Sequence, residues 1–84
     1  LINQSDFDAA RAELRKFLEL APQNANAPQA RYRVAECSYL LGDWRTAKAE
    51  LQAYLKDHPQ EPLSERAWAY LGDVELQLND PAAA

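Results

Sequence analysis

Residues 6–43 recur over residues 43–80, shifted by 37 positions. In that register Asp6-Phe7 meets Asp43-Trp44, and Ala10 meets Ala47. Ala12-Glu13-Leu14 meets Ala49-Glu50-Leu51, Phe17-Leu18 meets Tyr54-Leu55, and Pro22-Gln23 meets Pro59-Gln60. Ala30 then falls on Ala67, and Leu41 on Leu78. A fixed period of about 20–50 residues is the mark of a stacked repeat, in which each unit buries its apolar face on its neighbours. A chain built this way presents a repeated surface, so function is sought in what that surface binds.

The period resolves into four helical stretches. Phe7, Ala10, Leu14, Phe17, Leu18 and Ala21 recur at helical spacing and predict a helix over about 6–20, with Asp6 as its N-cap and Pro22 as its stop. Pro28 opens a second helix, over about 28–41, with Ala30, Val34, Ala35, Ser38 and Leu41 inside and Gly42 as a left-handed terminus. Asp43 is expected to cap a third helix, over about 44–57, whose stripe is Trp44, Ala47, Leu51, Tyr54 and Leu55. Ser64 is expected to cap a fourth, over about 64–78, carrying Ala67, Trp68, Leu71, Gly72, Val74 and Leu78. It ends at Asn79-Asp80-Pro81, followed by a frayed Ala tail. The Gly42-Asp43 joint is short and forces its two helices antiparallel. Ala10, Ala35, Ala47 and Gly72 are expected where helices cross closely, since a larger residue there would push them apart.

Composition narrows the function classes. The chain has 84 residues and is 48% apolar, too apolar for disorder and too short for more than one domain. Its net charge of −4 speaks against nucleic acid, and no apolar run reaches the roughly 18 residues of a membrane span. The start, Leu1-Ile2-Asn3-Gln4, has neither the basic nor the apolar part of a signal peptide. It also lacks an initiator Met, so the chain reads as cut from something longer. Cys37 is the only cysteine and reads as a small buried residue. His58, the only histidine, reads as a favourable charge at a helix C-terminus with no orienting partner. Asp57/Glu61 and Asp73/Glu75 read as solvated surface, and no spacing suits a metal or a phosphate loop. We therefore expect no enzyme activity and no cofactor.

Several residues carry a family resemblance. Val34-Ala35, Gly42-Asp43-Trp44, Ala47, Leu51 and Pro59 in one copy, with Trp68 and Leu71-Gly72 in the next, resemble the tetratricopeptide repeat. The resemblance covers about residues 5–80. It implies an all-α right-handed superhelix of stacked hairpins with helix order B, A–B, A. The chain then divides into a helix B (about 5–27), a complete repeat (28–63) and a helix A (64–80), with Leu1–Gln4 the remnant of a first helix A. The period exceeds the usual 34 residues, and aromatics at Phe17 and Tyr54 stand where common repeats hold alanine. Both features are similar to the longer repeats of bacterial envelope proteins, such as the outer-membrane assembly lipoprotein and the Tol–Pal-associated periplasmic protein. That favours a periplasmic or membrane-associated compartment, with the cytoplasm also compatible.

In this family the A helices line a concave groove. The resemblance therefore implies a protein or peptide partner, docked on Gln29, Tyr32, Arg33, Glu36, Tyr39 and Leu40 of the second helix. Arg66, Ala69, Tyr70, Asp73 and Gln77 of the fourth would complete the surface. Tyrosine combines a large contact area with a polar tip and is enriched at interfaces. Two rivals are an architectural segment that associates through its ends, as a homodimer or an end-to-end stack, and a regulatory segment of a larger enzyme. Flanking sequence would separate them.

Overall fold

The computed structural model describes residues 4–79. Among these it holds four α-helices and no strand: α1 (Gln4–Leu20), α2 (Ala27–Leu40), α3 (Trp44–Asp57) and α4 (Ser64–Asn79). The expectations for Leu1–Asn3, for the Asp80-Pro81 stop and for the Ala tail lie outside the described residues. Each helix packs on the next, and α2 also meets α4 along a narrower contact. The result is a stack of antiparallel helix hairpins measuring 41 × 30 × 21 Å.

The joints explain the order. After α2, Gly42 takes a left-handed conformation (φ 76), which a side chain would disfavour. The Asp43 amide then reaches the Ser38 carbonyl at 3.0 Å, and the Gly42 amide reaches Tyr39 at 3.1 Å. These two bonds are a Schellman ending, and they satisfy carbonyls the helix leaves free. Asp43 occupies the N-cap of α3, but its side chain makes no capping bond there. Its carboxylate instead accepts from Arg11 of α1. Before α4, the buried Ser64 hydroxyl donates to the His58 carbonyl and accepts the Glu61 amide at 3.1 Å. Ser64 therefore ties the linker together. The N-cap position falls on Leu63, whose carbonyl takes the Ala67 amide at 3.1 Å. Asp6 lies within the first turn of α1 and not at its cap, because the helix begins two residues earlier.

The core lies between α2, α3 and α4. Tyr32, Ala35, Ala47, Leu51, Tyr54, Leu55, Ala67, Leu71 and Val74 form one buried cluster. Burying a residue such as Leu51, at 0% exposure, is worth about 1.5–3 kcal/mol. The aromatic stripe of α3 fills the space between helices: Tyr54 lies 5.8 Å from Tyr32, and Trp44 lies 5.7 Å from Tyr39, centroid to centroid. Cys37 is buried, and desolvation pushes its thiol up from its ordinary pKa.

Four placements differ from the sequence expectation, for one reason. Ala35 and Ala47 are fully buried, but Ala10 and Gly72 are exposed. A Cβ added at Gly72 would meet nothing within 4 Å. Trp68 and Leu78 also remain exposed, at 53% and 36%. All four lie on α1 or α4, the first and last of the described helices, where one flank faces no other helix among the described residues.

Candidate functional site: the A-helix face

The surface formed by α2 and α4 is held together by tyrosines and carboxylates. The Tyr39 hydroxyl donates to Asp73 Oδ2 at 2.6 Å, and the Tyr70 hydroxyl donates to Glu36 Oε2 at 2.8 Å. Tyr32 reaches the same Glu36 oxygen at 3.4 Å. The Tyr39 and Tyr70 rings stack with centroids 4.5 Å apart, and Tyr32 and Tyr70 lie 6.4 Å apart. Hydrogen bonds between a neutral hydroxyl and a carboxylate are roughly twice as strong as neutral ones. They favour the protonated phenol. Burial, helped by the Glu36 carboxylate, raises the Tyr70 and Tyr32 pKa values, while for Tyr39 the bond to Asp73 is the larger cause.

This geometry sorts the nominated residues. Tyr32 is 2% exposed, so it belongs to the core and offers no side-chain surface to a partner: its ring fills the gap between α2 and α3. Tyr39, Tyr70, Glu36 and Asp73 are half-buried and bind one another across the two A helices. Asp73 is thus part of a ladder and not simply solvated surface. Gln29, Leu40, Arg33 and Arg66 are exposed, as is Ala69, while Gln77 is half-buried. Arg33 approaches Glu36 at 3.7 Å. Gln29 and Arg33, with Leu14 and Phe17 of α1, line a shallow cavity of about 250 Å³. Arg66 and Ala69, with Pro62 and Leu63, line another of about 460 Å³.

A second polar cluster on the other side of α2 was not foreseen from sequence. Arg11 Nη1 donates to Ser38 Oγ and to Asp43 Oδ2, each at 3.0 Å. Ser38 Oγ donates to Glu50 Oε1 at 2.5 Å, and Arg15 Nη2 donates to Glu50 Oε2 at 3.1 Å. The cluster joins α1, α2 and α3. The Arg11 guanidinium holds the Asp43 carboxyl below its ordinary pKa. One signal was present: cations at positions 11 and 48 and acids at positions 13 and 50 recur in the 37-residue register. His58 also has company, since its ring lies 5.1 Å from Tyr54 and its Nδ1 lies 3.5 Å from Glu61. Among the described residues no three His, Cys, Asp or Glu side chains gather where a metal could sit, and no helix is long and apolar enough to cross a membrane.

Short-jointed antiparallel hairpins, stacked in sequence order with a repeated register, define an α-helical repeat protein. The chain belongs to the tetratricopeptide repeat family, whose model matches residues 1–64. No curated protein and no solved structure gives a match. Members of the family generally mediate protein–protein interaction.

Proposed function

We propose that this chain is a non-catalytic interaction module that docks a peptide or a partner helix on the face formed by α2 and α4. The observation that carries this reading is the stacked Tyr39–Tyr70 pair, half-buried on the A helices. Around it stand the exposed side chains of Arg33, Leu40, Arg66 and Ala69. Large rings held rigid by their own hydrogen bonds lose little entropy on binding, and arginine joins them among the usual anchors of interfaces. Tyr32 supports the site from beneath, as part of its floor.

The test uses the whole chain immobilised as bait, with the captured protein identified and then titrated by calorimetry. Arg33→Glu and Arg66→Glu should each weaken binding by about tenfold or more, since truncating or reversing an anchor costs about 2 kcal/mol. Lys56→Ala, at an exposed site on α3 outside this face, should leave binding unchanged. Circular dichroism checks that each variant keeps its helix content. Equal loss from Lys56→Ala, or none from the arginine reversals, would place the partner elsewhere. The long period and the aromatics at Phe17 and Tyr54 further support an envelope protein. We propose that compartment with the same module function, and fractionation of cells expressing the native gene tests it.

A further inference from the structure

A small apolar cavity lies between α1, α2 and α3, on the side of α2 away from the Tyr39–Tyr70 stack. Both α1 and α3 pack on α2, and Arg15 reaches across the gap between them to Glu50 at 3.1 Å. Beside that ion pair the cavity opens, with a volume of about 230 Å³. Val34 and Tyr54, both buried, and the half-buried Leu18 supply its apolar wall, and Ala53 stands exposed at its rim. Arg15 and Arg31 also line it, against one acid, Glu50. Both oxygens of that acid are engaged, Oε1 by Ser38 at 2.5 Å and Oε2 by Arg15. The lining therefore carries a surplus positive charge, in a chain whose net charge is −4.

The 37-residue register shows that the fold does not require this charge. Leu18 and Val34 correspond to Leu55 and Leu71, apolar in both copies, but Arg15 corresponds to Gln52 and Arg31 to Trp68. The Arg31 guanidinium donates to the Pro22 carbonyl at 3.2 Å, and the Trp68 indole donates to the equivalent Pro59 carbonyl at 3.4 Å. Tying the linker down takes a donor at this position, not a cation. Nor would a further helix stacked before α1 in the same register cover the cavity. It would meet the flank of Phe17, the counterpart of Tyr54, which α3 turns to Tyr32 of α2. Leu18 and Arg15 lie about 100° and 160° around the helix from Phe17.

We propose that this cavity binds a small apolar monocarboxylate, its hydrocarbon part against Leu18, Val34 and Tyr54 and its carboxylate held by Arg31 and Arg15. A guanidinium fork matches the two oxygens of a carboxylate, and the apolar wall rewards a hydrocarbon part that inorganic anions lack. The volume falls below the roughly 300 Å³ at which drug-sized sites begin, so the ligand is limited to about one ring or a short branched chain. The Arg15–Glu50 pair crosses between α1 and α3, so the site takes a compact molecule and not an extended segment.

The experiment is an amide NMR titration of the 84-residue chain with phenylacetate. Phenylacetate should shift the resonances of Leu18, Arg31, Val34 and Ala53 saturably. The Kd should be on the order of 1 mM, within reach of a ligand of about ten non-hydrogen atoms. Neutral phenylacetamide, which keeps the ring, and acetate, which keeps only the charge, should each bind at least about tenfold more weakly. Arg31→Gln keeps a donor for the Pro22 carbonyl but loses the charge, and should weaken phenylacetate by about tenfold. Ala53→Leu, at the exposed rim, should fill the mouth and abolish the saturable shifts while the spectrum stays that of a folded chain. A wild-type chain with no saturable shift at about ten times that concentration overturns the proposal. So does phenylacetamide binding as tightly as phenylacetate, which would mean apolar partition alone. Acetate binding as tightly, which would mean a bare arginine site, or shifts that survive both substitutions, overturn it equally. Should Ala53→Leu lose its dispersed resonances, Ala53→Val replaces it.

Discussion

Ser38→Ala isolates the cluster that ties α1 to the rest of the stack. Ser38 is 0% exposed, yet it accepts from Arg11 and donates to Glu50. Both partners are charged and mostly shielded, with side chains 15% and 22% exposed. A hydrogen bond to a charged group contributes about 1.5–3 kcal/mol, so losing two sets an upper limit of roughly 6 kcal/mol. The structure argues for much less. Arg11 keeps Asp43 at 3.0 Å, and Glu50 keeps Arg15 at 3.1 Å, so neither charge is stranded. Alanine also leaves little void. The expected loss is about 2 kcal/mol, a large share of what a domain this small holds, and a fall in Tm of roughly 8–16 °C. Urea unfolding followed by circular dichroism reads it as a lower midpoint at unchanged slope. A double-mutant cycle with Arg11→Met should show a coupling of about 1 kcal/mol, as expected for members of one network. A loss under about 0.5 kcal/mol, or strict additivity, would mean the cluster is a surface ornament and α1 is held by apolar packing alone.

The same melts check two kinds of substitution, of opposite sign. Ala47→Leu and Ala35→Leu force three carbons into fully buried sites and should each destabilise by about 1–3 kcal/mol; a neutral result would refute the close crossing of α2 and α3. Gly72→Ala, mid-helix with open space at its Cβ, should stabilise by about 0.5–1 kcal/mol through helix propensity. Alkaline pH is the third perturbation. The raised pKa values of Tyr32, Tyr39 and Tyr70 mean that the folded state favours the neutral phenol. Their contribution is complete below the unfolded tyrosine pKa of about 10 and is lost as pH rises above it towards the folded values. Stability should fall above that pH, and Tyr39→Phe and Tyr70→Phe should flatten the fall. Melts across the alkaline range, with tyrosinate absorbance, decide it: an unchanged slope in both variants would deny the ladder its role.

Periodicity made the helices legible because it reports burial along one strip, and burial is what the sequence pattern encodes. The hairpin at Gly42 was legible for a local reason, the backbone conformation that only glycine adopts cheaply. Burial at Ala35 and Ala47 followed from the same register. The register does not report which flanks meet another of the described helices. Ala10 is written like Ala47 and Gly72 like Ala35, yet their exposure is opposite, because exposure depends on whether a neighbouring helix is present. The fate of the tyrosines was hidden for a different reason. Tyr32, Tyr39 and Tyr70 share a residue type and a helix class. Tyr32 is enclosed because its ring lies between Tyr54 of α3 and Tyr70 of α4, whereas Tyr39 and Tyr70 stack on each other and keep an outer edge. Hydroxyl-to-carboxylate pairings over 34 residues leave no mark in a helical repeat pattern.

Those pairings decide what a partner would feel on the A-helix face. The chain as a whole carries a charge of −4, which at long range favours cationic partners and is screened beyond about 8 Å at physiological salt. At contact distance the balance is different. The nominated charges on this face are Arg33 and Arg66 against Glu36 and Asp73, which sum to zero. The two acids are half-buried, with oxygens already engaged by Tyr70 and Tyr39, whereas the two arginines are exposed, and the one contact of Arg33 with Glu36 is long, at 3.7 Å. A guanidinium presents a planar fork that matches carboxylates and backbone carbonyls, so the groups free to form new directional bonds are mostly donors. Recognition at the surface therefore selects for acceptors on the partner, while the overall field draws in cations. A partner that satisfies both carries basic residues outside the contact and places carbonyls or a carboxylate within it. The two requirements act on different parts of the partner, so salt should slow encounter with the face more than it weakens the complex once formed.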